Sequence, residues 1–236
     1  MNNVPTSISV AFVLITGLTV WLFYKASRNS GRTLLIMLAW LFVQGTLAWS
    51  GFYSVVNTLP PRLLLAVVPP VMVVVALFTT TKGRAYLDNL RLDGLIILHV
   101  VRIPVELVLY GLFLHGAVPQ LMTFEGRNLD ILAGLSAPFV YYLACRKQLW
   151  GPSLALLWNM GGLVLLVNVV VNGILSAPSA FQQFAFTQPN VAVLYFPFVW
   201  LPACIVPVVL LAHLAAIRQL LASLTASTRQ TRLVVT

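Results

Sequence analysis

The chain has 236 residues, 60% of them hydrophobic and 8% charged, with a mean hydropathy of +0.95. Ordinary soluble chains are ~45–50% apolar and ~25% charged, so these side chains cannot cover a solvated surface, and lipid is the expected solvent. The net charge of +9 does not indicate nucleic acid, because the basic residues fall in small groups between long apolar runs.

A spanning helix takes ~20 residues, and seven apolar runs can be read between turn-forming or charged breaks. They are 4–24, 33–56, 63–80, 94–118, 129–145, 149–175 and 191–217. The first is read as a retained span with its N-terminus outside, since Lys25, Arg28 and Arg32 follow the apolar run instead of preceding it. The fifth is short, which suggests a thin or re-entrant span, or one that starts earlier within 125–130. Assigning alternate connections to one side gathers Lys25, Arg28, Arg32, Lys82, Arg84, Arg91, Arg146, Lys147, Arg218, Arg229 and Arg232 there. Arg62 and Arg127 are left on the other. That bias makes the first side cytoplasmic.

The predicted fold is therefore an all-α integral membrane bundle of about seven transmembrane helices, N-terminus outside and C-terminus cytoplasmic. It comprises one domain over 1–217 and a short basic tail over 218–236, in a bacterial cytoplasmic membrane. Trp49 and Tyr53 at one rim, with Tyr24, Tyr142 and Trp150 at the other, fit aromatic belts or lipid-facing bulk. Pro69, Pro70, Pro104, Pro138, Pro197, Pro202 and Pro207 all fall within predicted spans, where each removes a backbone donor and tends to kink its helix. Leu-Ser-Ala-Pro ends at both Pro138 and Pro178, too little to establish a repeat.

Several chemistries are excluded. In helix number and length the chain resembles microbial rhodopsins, whose chromophore needs a lysine in the middle of the last helix. Lys25, Lys82 and Lys147 all lie in connections, so no lysine Schiff-base retinal is expected. The Pro119-Gln120 pair is similar to that of PQ-loop sugar transporters, but it occurs once, in an external connection, and carries no assignment. Walker A, zinc-protease, haem-attachment and nucleophile-elbow motifs are absent. Cys145 and Cys204 read as small apolar fillers. His99, His115 and His213 share no ligand spacing, and no metal is expected.

The fourth run carries the informative pattern. At roughly 100° per residue, His99, Arg102, Glu106 and Tyr110 fall within about 80° of one another on one face. At ~1.5 Å per residue from Gly94, Glu106 lies close to the bilayer centre, where ionisable groups face a protein interior or an aqueous cavity. Two readings stand. Arg102 and Glu106 form a self-contained ion pair at i, i+4 that locks the bundle, or they line a site in which Pro104 frees the carbonyl of Val100 as an extra acceptor. Asn168 and Asn172 in the sixth run either join that site or act as interhelical glue.

A second concentration lies outside. Glu125, Arg127 and Asp130 are expected to act as one electrostatic unit, either as paired carboxyls for acid–base work or as a neutralised helix cap. The connection 176–190 adds Gln182, Gln183 and Gln188 among Phe181, Phe184 and Phe186, which suits a lid or an interfacial segment.

Three functions compete. The first is binding or transport of a small solute or lipid-like molecule around Arg102 and Glu106, with Glu106 as the candidate proton-coupling group. The second is an intramembrane enzyme acting on a lipidic substrate through Glu125, Asp130 or His99. The third is a sensor whose basic tail meets a cytoplasmic partner. The expected partners are the lipid bilayer and a small molecule or lipid, with no nucleic acid.

Overall fold

The computed structural model describes residues 3–235, with side chains described through residue 226. Met1, Asn2 and Thr236 lie outside the described residues, and Arg229 and Arg232 of the expected tail lie outside the described side chains. Among the described residues the regular structure is helical throughout. It comprises α1 (Thr6–Ala26), α2 (Gly31–Trp49), α3 (Leu64–Thr79), α4 (Thr81–Asn89), α5 (Leu92–Leu98), α6 (Arg102–Leu114), α7 (Ile131–Val140), α8 (Pro152–Ser176) and α9 (Val206–Val235). A 3-10 turn, His99–Val101, joins α5 to α6 into one continuous helix, Leu92–Leu114. A π-helical turn, Tyr141–Arg146, extends α7, and another, Leu201–Ile205, leads into α9.

Among the described residues five helices are long and apolar enough to cross a membrane: Thr6–Ala26, Gly31–Trp49, Leu92–Leu114, Pro152–Ser176 and Leu201–Ala226. A sixth is obtained if α3 and α4, bent by 94°, count as one span. The fifth apolar run of the sequence forms only the shorter helix Ile131–Arg146.

Turn chemistry explains where the boundaries depart from the apolar runs. The second run stops at Trp49 because Gly51 takes a left-handed φ of 76° and opens a 3-10 turn, Phe52–Ser54. The third continues past its polar break: Thr80 caps α4 by accepting from the Gly83 amide. The sharp bend requires glycine at 83, where a Cβ would sit 2.5 Å from the Leu77 backbone. The last run opens with a 3-10 turn, Ala192–Leu194, followed by bends and turns, and its continuous helix begins only around Trp200 and Leu201. Pro207 withholds the amide that would bond the Ala203 carbonyl, and the Trp40 indole donates to that carbonyl at 2.9 Å. α9 continues through residues 217 and 218.

α9 is central and packs against α8, α5 and α4, while α1 lies along α5 and α6. One end of the bundle is tied by basic residues. Arg28 donates to the Asn89 carbonyl at 2.7 Å, Arg91 N–H to the Ala26 carbonyl at 2.9 Å, and Arg218 pairs with Asp88 at 2.8 Å. At the other end Arg62 and Arg127 lie over the rings of Phe52 and Phe184.

Candidate functional site

Arg102, Gly162 and His213 lie near the middle of the three helices Leu92–Leu114, Pro152–Ser176 and Leu201–Ala226. A buried polar cluster forms where these helices meet α7. Arg102 is 3% exposed and Glu106 1%, so the polar stripe faces inward, as the cost of a lipid-exposed charge demands.

The internal ion pair is not the one that spacing suggests. Arg102 Nε lies 3.2 Å from Asp130 Oδ2. Its two terminal nitrogens each donate to the Gly162 carbonyl at 3.3 Å. Glu106 is instead held by Asn128, whose Nδ2 donates to Oε1 at 2.5 Å and to the Met122 carbonyl at 3.0 Å. Asn128 Oδ1 in turn accepts the Asp130 amide at 3.0 Å. The self-contained Arg102 to Glu106 pair is thus replaced by two contacts to the segment ahead of α7. Pro104 falls in the first turn of α6, directly after the 3-10 turn, and the carbonyl that Arg102 uses belongs to Gly162 on α8 instead of Val100.

His99 and His213, both fully buried, stack with ring centroids 3.8 Å apart at an interplanar angle of 19°. Trp158 meets His99 edge-on at 5.5 Å. The His213 Nδ1 bonds Asn159 Oδ1 at 3.0 Å. A Cβ at position 162 would stand 2.5 Å from His213 Cε1, so any larger residue there forces the imidazole to shift. Trp158 Nε1 donates to Ser136 Oγ at 2.9 Å and ties α8 to α7.

The external unit of Glu125, Arg127 and Asp130 is not assembled. Asp130 turns inward to Arg102, Arg127 lies over Phe184 at 6.0 Å, and Glu125 lies beside the Tyr110 hydroxyl. Tyr110 accordingly belongs to the outer end of α6, against Phe124 at 5.0 Å, and stands apart from the buried cluster. Asn168 donates to the Arg127 carbonyl at 2.8 Å and so fastens α8 to the external segment, while Asn172 donates back to Asn168 at 3.0 Å within α8 itself. Gln182 binds the carbonyl of Phe184 within its own loop, and the Gln183 amide donates to the Leu175 carbonyl. Gln188 bridges the carbonyls of Phe113 and Val118 at 3.0 and 2.7 Å and fixes the connection over the outer end of α6.

Beside the cluster lies a cavity of about 230 Å3. Its walls are apolar side chains of α3, α6, α8 and α9, including Val67, Leu109, Val170 and Leu210. Arg102, Glu106, Asp130 and Asn190 supply the polar groups. Val71, Val167, Val171 and Ile174, which also line it, are exposed on the outer sides of α3 and α8, so the cavity reaches the surface beside these helices.

Sequence reasoning missed Asn128, Asn159, His213 and Asn190. For Asn159 a signal existed in the neighbouring Gly161-Gly162 pair, since small residues mark close helix approach. The His99 to His213 stack joins two distant helices and leaves no trace in local spacing. Among the described residues no group of three His, Cys, Asp or Glu side chains is placed to hold a metal ion.

No curated protein and no solved structure matches the chain. A protein-family model does, over residues 59–221, a stretch that begins ahead of α3 and contains the entire cluster and cavity. By that match the chain belongs to the family described as Domain of unknown function (DUF8737).

Proposed function

We propose that the protein binds and transports a small lipid-like molecule, which enters the cavity sideways from the bilayer and sets its polar end against Arg102, Glu106 and Asp130. The observation that carries this reading is one cavity in which those three charged side chains interrupt an otherwise apolar lining. Ligand sites have this character: mostly hydrophobic walls with a few convergent polar groups that fix orientation. A freely hydrated solute is the weaker fit to such walls. At about 230 Å3 the space is slightly below the usual ~300–1,000 Å3 of ligand pockets, which suits a compact amphiphile.

In this reading all seven helical runs cross a cytoplasmic membrane with the N-terminus outside. Support comes from the basic residues gathered at one end of the bundle, where Arg28, Arg91 and Arg218 make their contacts, because cytoplasmic connections carry the excess of Lys and Arg. The bent third helix and the short Ile131–Arg146 helix are then thin spans accommodated by their neighbours.

A neutral alkyl diazirine with a hydroxyl head tests the cavity. After photolysis in lipid nanodiscs and peptide mapping, labels should concentrate on Val170, Leu210 and Val71. Filling the space with Val170→Phe should remove them while sparing the lipid-facing Leu35 and Phe42. Labelling spread over all lipid-facing residues in proportion to exposure, unchanged in Val170→Phe, overturns the reading.

A further inference from the structure

Four buried polar atoms on residues that line the cavity have no hydrogen-bond partner, and three of the four share one chemistry. Glu106 Oε2, Asp130 Oδ1 and Asn190 Oδ1 are buried without a hydrogen-bond partner, and all three residues line the cavity at 1%, 6% and 1% exposure. Each is an acceptor. Buried acceptors without partners are costly and ordinarily find a donor. The fourth is Arg102 Nε, a donor without a hydrogen bond that stands 3.2 Å from Asp130 Oδ2 as an ion pair, while the terminal nitrogens of that guanidinium both donate to the Gly162 carbonyl. An anionic head would have to compete with Asp130 for that guanidinium and would leave the three acceptors bare. A primary ammonium brings three N–H donors, one for each acceptor.

Charge points the same way. Two carboxyl groups face one guanidinium, and an unbalanced charge near the bilayer centre is unfavourable. A proton on one carboxyl balances the empty site, whereas a monocation balances the loaded one. The groups around Glu106 allow this exchange. Arg102 and the preceding His99 lie on its own helix, Asp130 and Asn128 on the segment ahead of α7, and His213 on α9. α3 and α8 carry no titratable side chain. The two histidines stack on each other behind Arg102 and do not line the cavity.

We propose that the occupant is a hydrophobic amine in its protonated form, bound by Glu106, Asp130 and Asn190 in exchange for one proton. The carboxyl O–H bond breaks, the proton leaves to water, and the ammonium takes its place as the balancing charge. No other bond changes. This inference rests on the reading of the cavity as a ligand site.

The test is isothermal titration of the purified full chain in nanodiscs with octylammonium and with octanoate, in two buffers of different ionisation enthalpy. Octylammonium should bind saturably at one site per chain and release about one proton. Glu106→Gln, which is nearly isosteric, should weaken binding at least tenfold and abolish the release. Asn190→Leu, a variant with no charge change, should weaken binding and keep the release. Octanoate binding in place of octylammonium overturns the inference, as does ammonium binding without proton release or unaffected by Glu106→Gln. Absence of octylammonium binding also overturns it. The neutral diazirine then separates the two claims: a labelled cavity leaves the ligand site standing, and an unlabelled one removes both.

Discussion

Gly162→Ala offers a sharp mutational probe of the buried cluster. The added methyl would stand 2.5 Å from His213 Cε1 and 2.8 Å from Nε2, against an optimal carbon separation of ~3.5–4.0 Å. The imidazole must therefore retreat by about 1 Å. It has nowhere to go, because one face is stacked on His99 at 3.8 Å and Nδ1 is held by Asn159 at 3.0 Å. Overpacking of this kind costs ~1–3 kcal/mol, and loss of the Asn159 bond adds ~0.5–1.5 kcal/mol. Gly161 is the control: nothing lies within 4 Å of its Cβ position, and alanine is a better helix former by up to ~1 kcal/mol. Equilibrium unfolding in mixed micelles should thus separate the two variants by at least ~2 kcal/mol. The Gly162→Ala loss should vanish in a His213→Ala background, where the clash has no partner. Equal stability of the two alanine variants, or a loss that persists without the imidazole, would refute the packing described here.

Other perturbations address the ion pair, the loop and the topology. Arg102→Met should cost ~3–5 kcal/mol by leaving Asp130 buried and uncompensated, and adding Asp130→Leu should recover more of that stability than adding Glu106→Leu; the same unfolding titration decides. Asn128→Ala removes the donor to Glu106 and should cost ~1–3 kcal/mol, whereas Asn168→Ala, an exposed residue of α8 that bonds the Arg127 carbonyl, should cost less than half as much. Arg127→Glu and Arg127→Ala should differ by under ~1 kcal/mol, since Arg127 meets an aromatic ring at 6.0 Å and no carboxylate; a much larger defect for the reversal would restore the external charge unit. With Cys145 and Cys204 replaced by alanine, a cysteine at the exposed Ala180 should react with an impermeant maleimide in intact cells and one at the exposed Lys147 should not. The opposite pattern reverses the membrane orientation.

Much of the fold was legible because an apolar run must close its own backbone hydrogen bonds, and each of the seven runs contains a helix, although among the described residues only five helices are long and apolar enough to cross a membrane. What was not legible came from backbone geometry within those runs. Thr80 caps a helix where charge suggested a loop, Gly83 permits the bend, and Gly51 ends α2 inside an apolar stretch. At the cluster, helical spacing placed Arg102 and Glu106 on one face, and both are buried there. Spacing along one helix cannot reveal which loop folds against it. Asp130 and Asn128 reach the cluster from a connection that looks external in sequence, and each outcompetes the neighbour at i, i+4 by bringing a directed acceptor or donor. His213 could be read only as a histidine without ligand spacing, because the pattern along α9 does not show that its ring stacks on His99.

The central claim is that Arg102, Glu106 and Asp130 form a binding site and are not only scaffold. The most direct measurement compares wild type with the Arg102→Met, Asp130→Leu double variant, reading unfolding free energy beside cavity labelling by photoactivatable octyl probes bearing ammonium, hydroxyl or carboxylate heads. The account predicts a double variant within ~1–2 kcal/mol of wild type, because both members of a buried pair can be replaced by apolar residues at little loss. Labelling of its cavity by the probe that serves wild type best should fall at least tenfold. A double variant that is equally stable and equally labelled would contradict the claim and reduce the cluster to a structural lock.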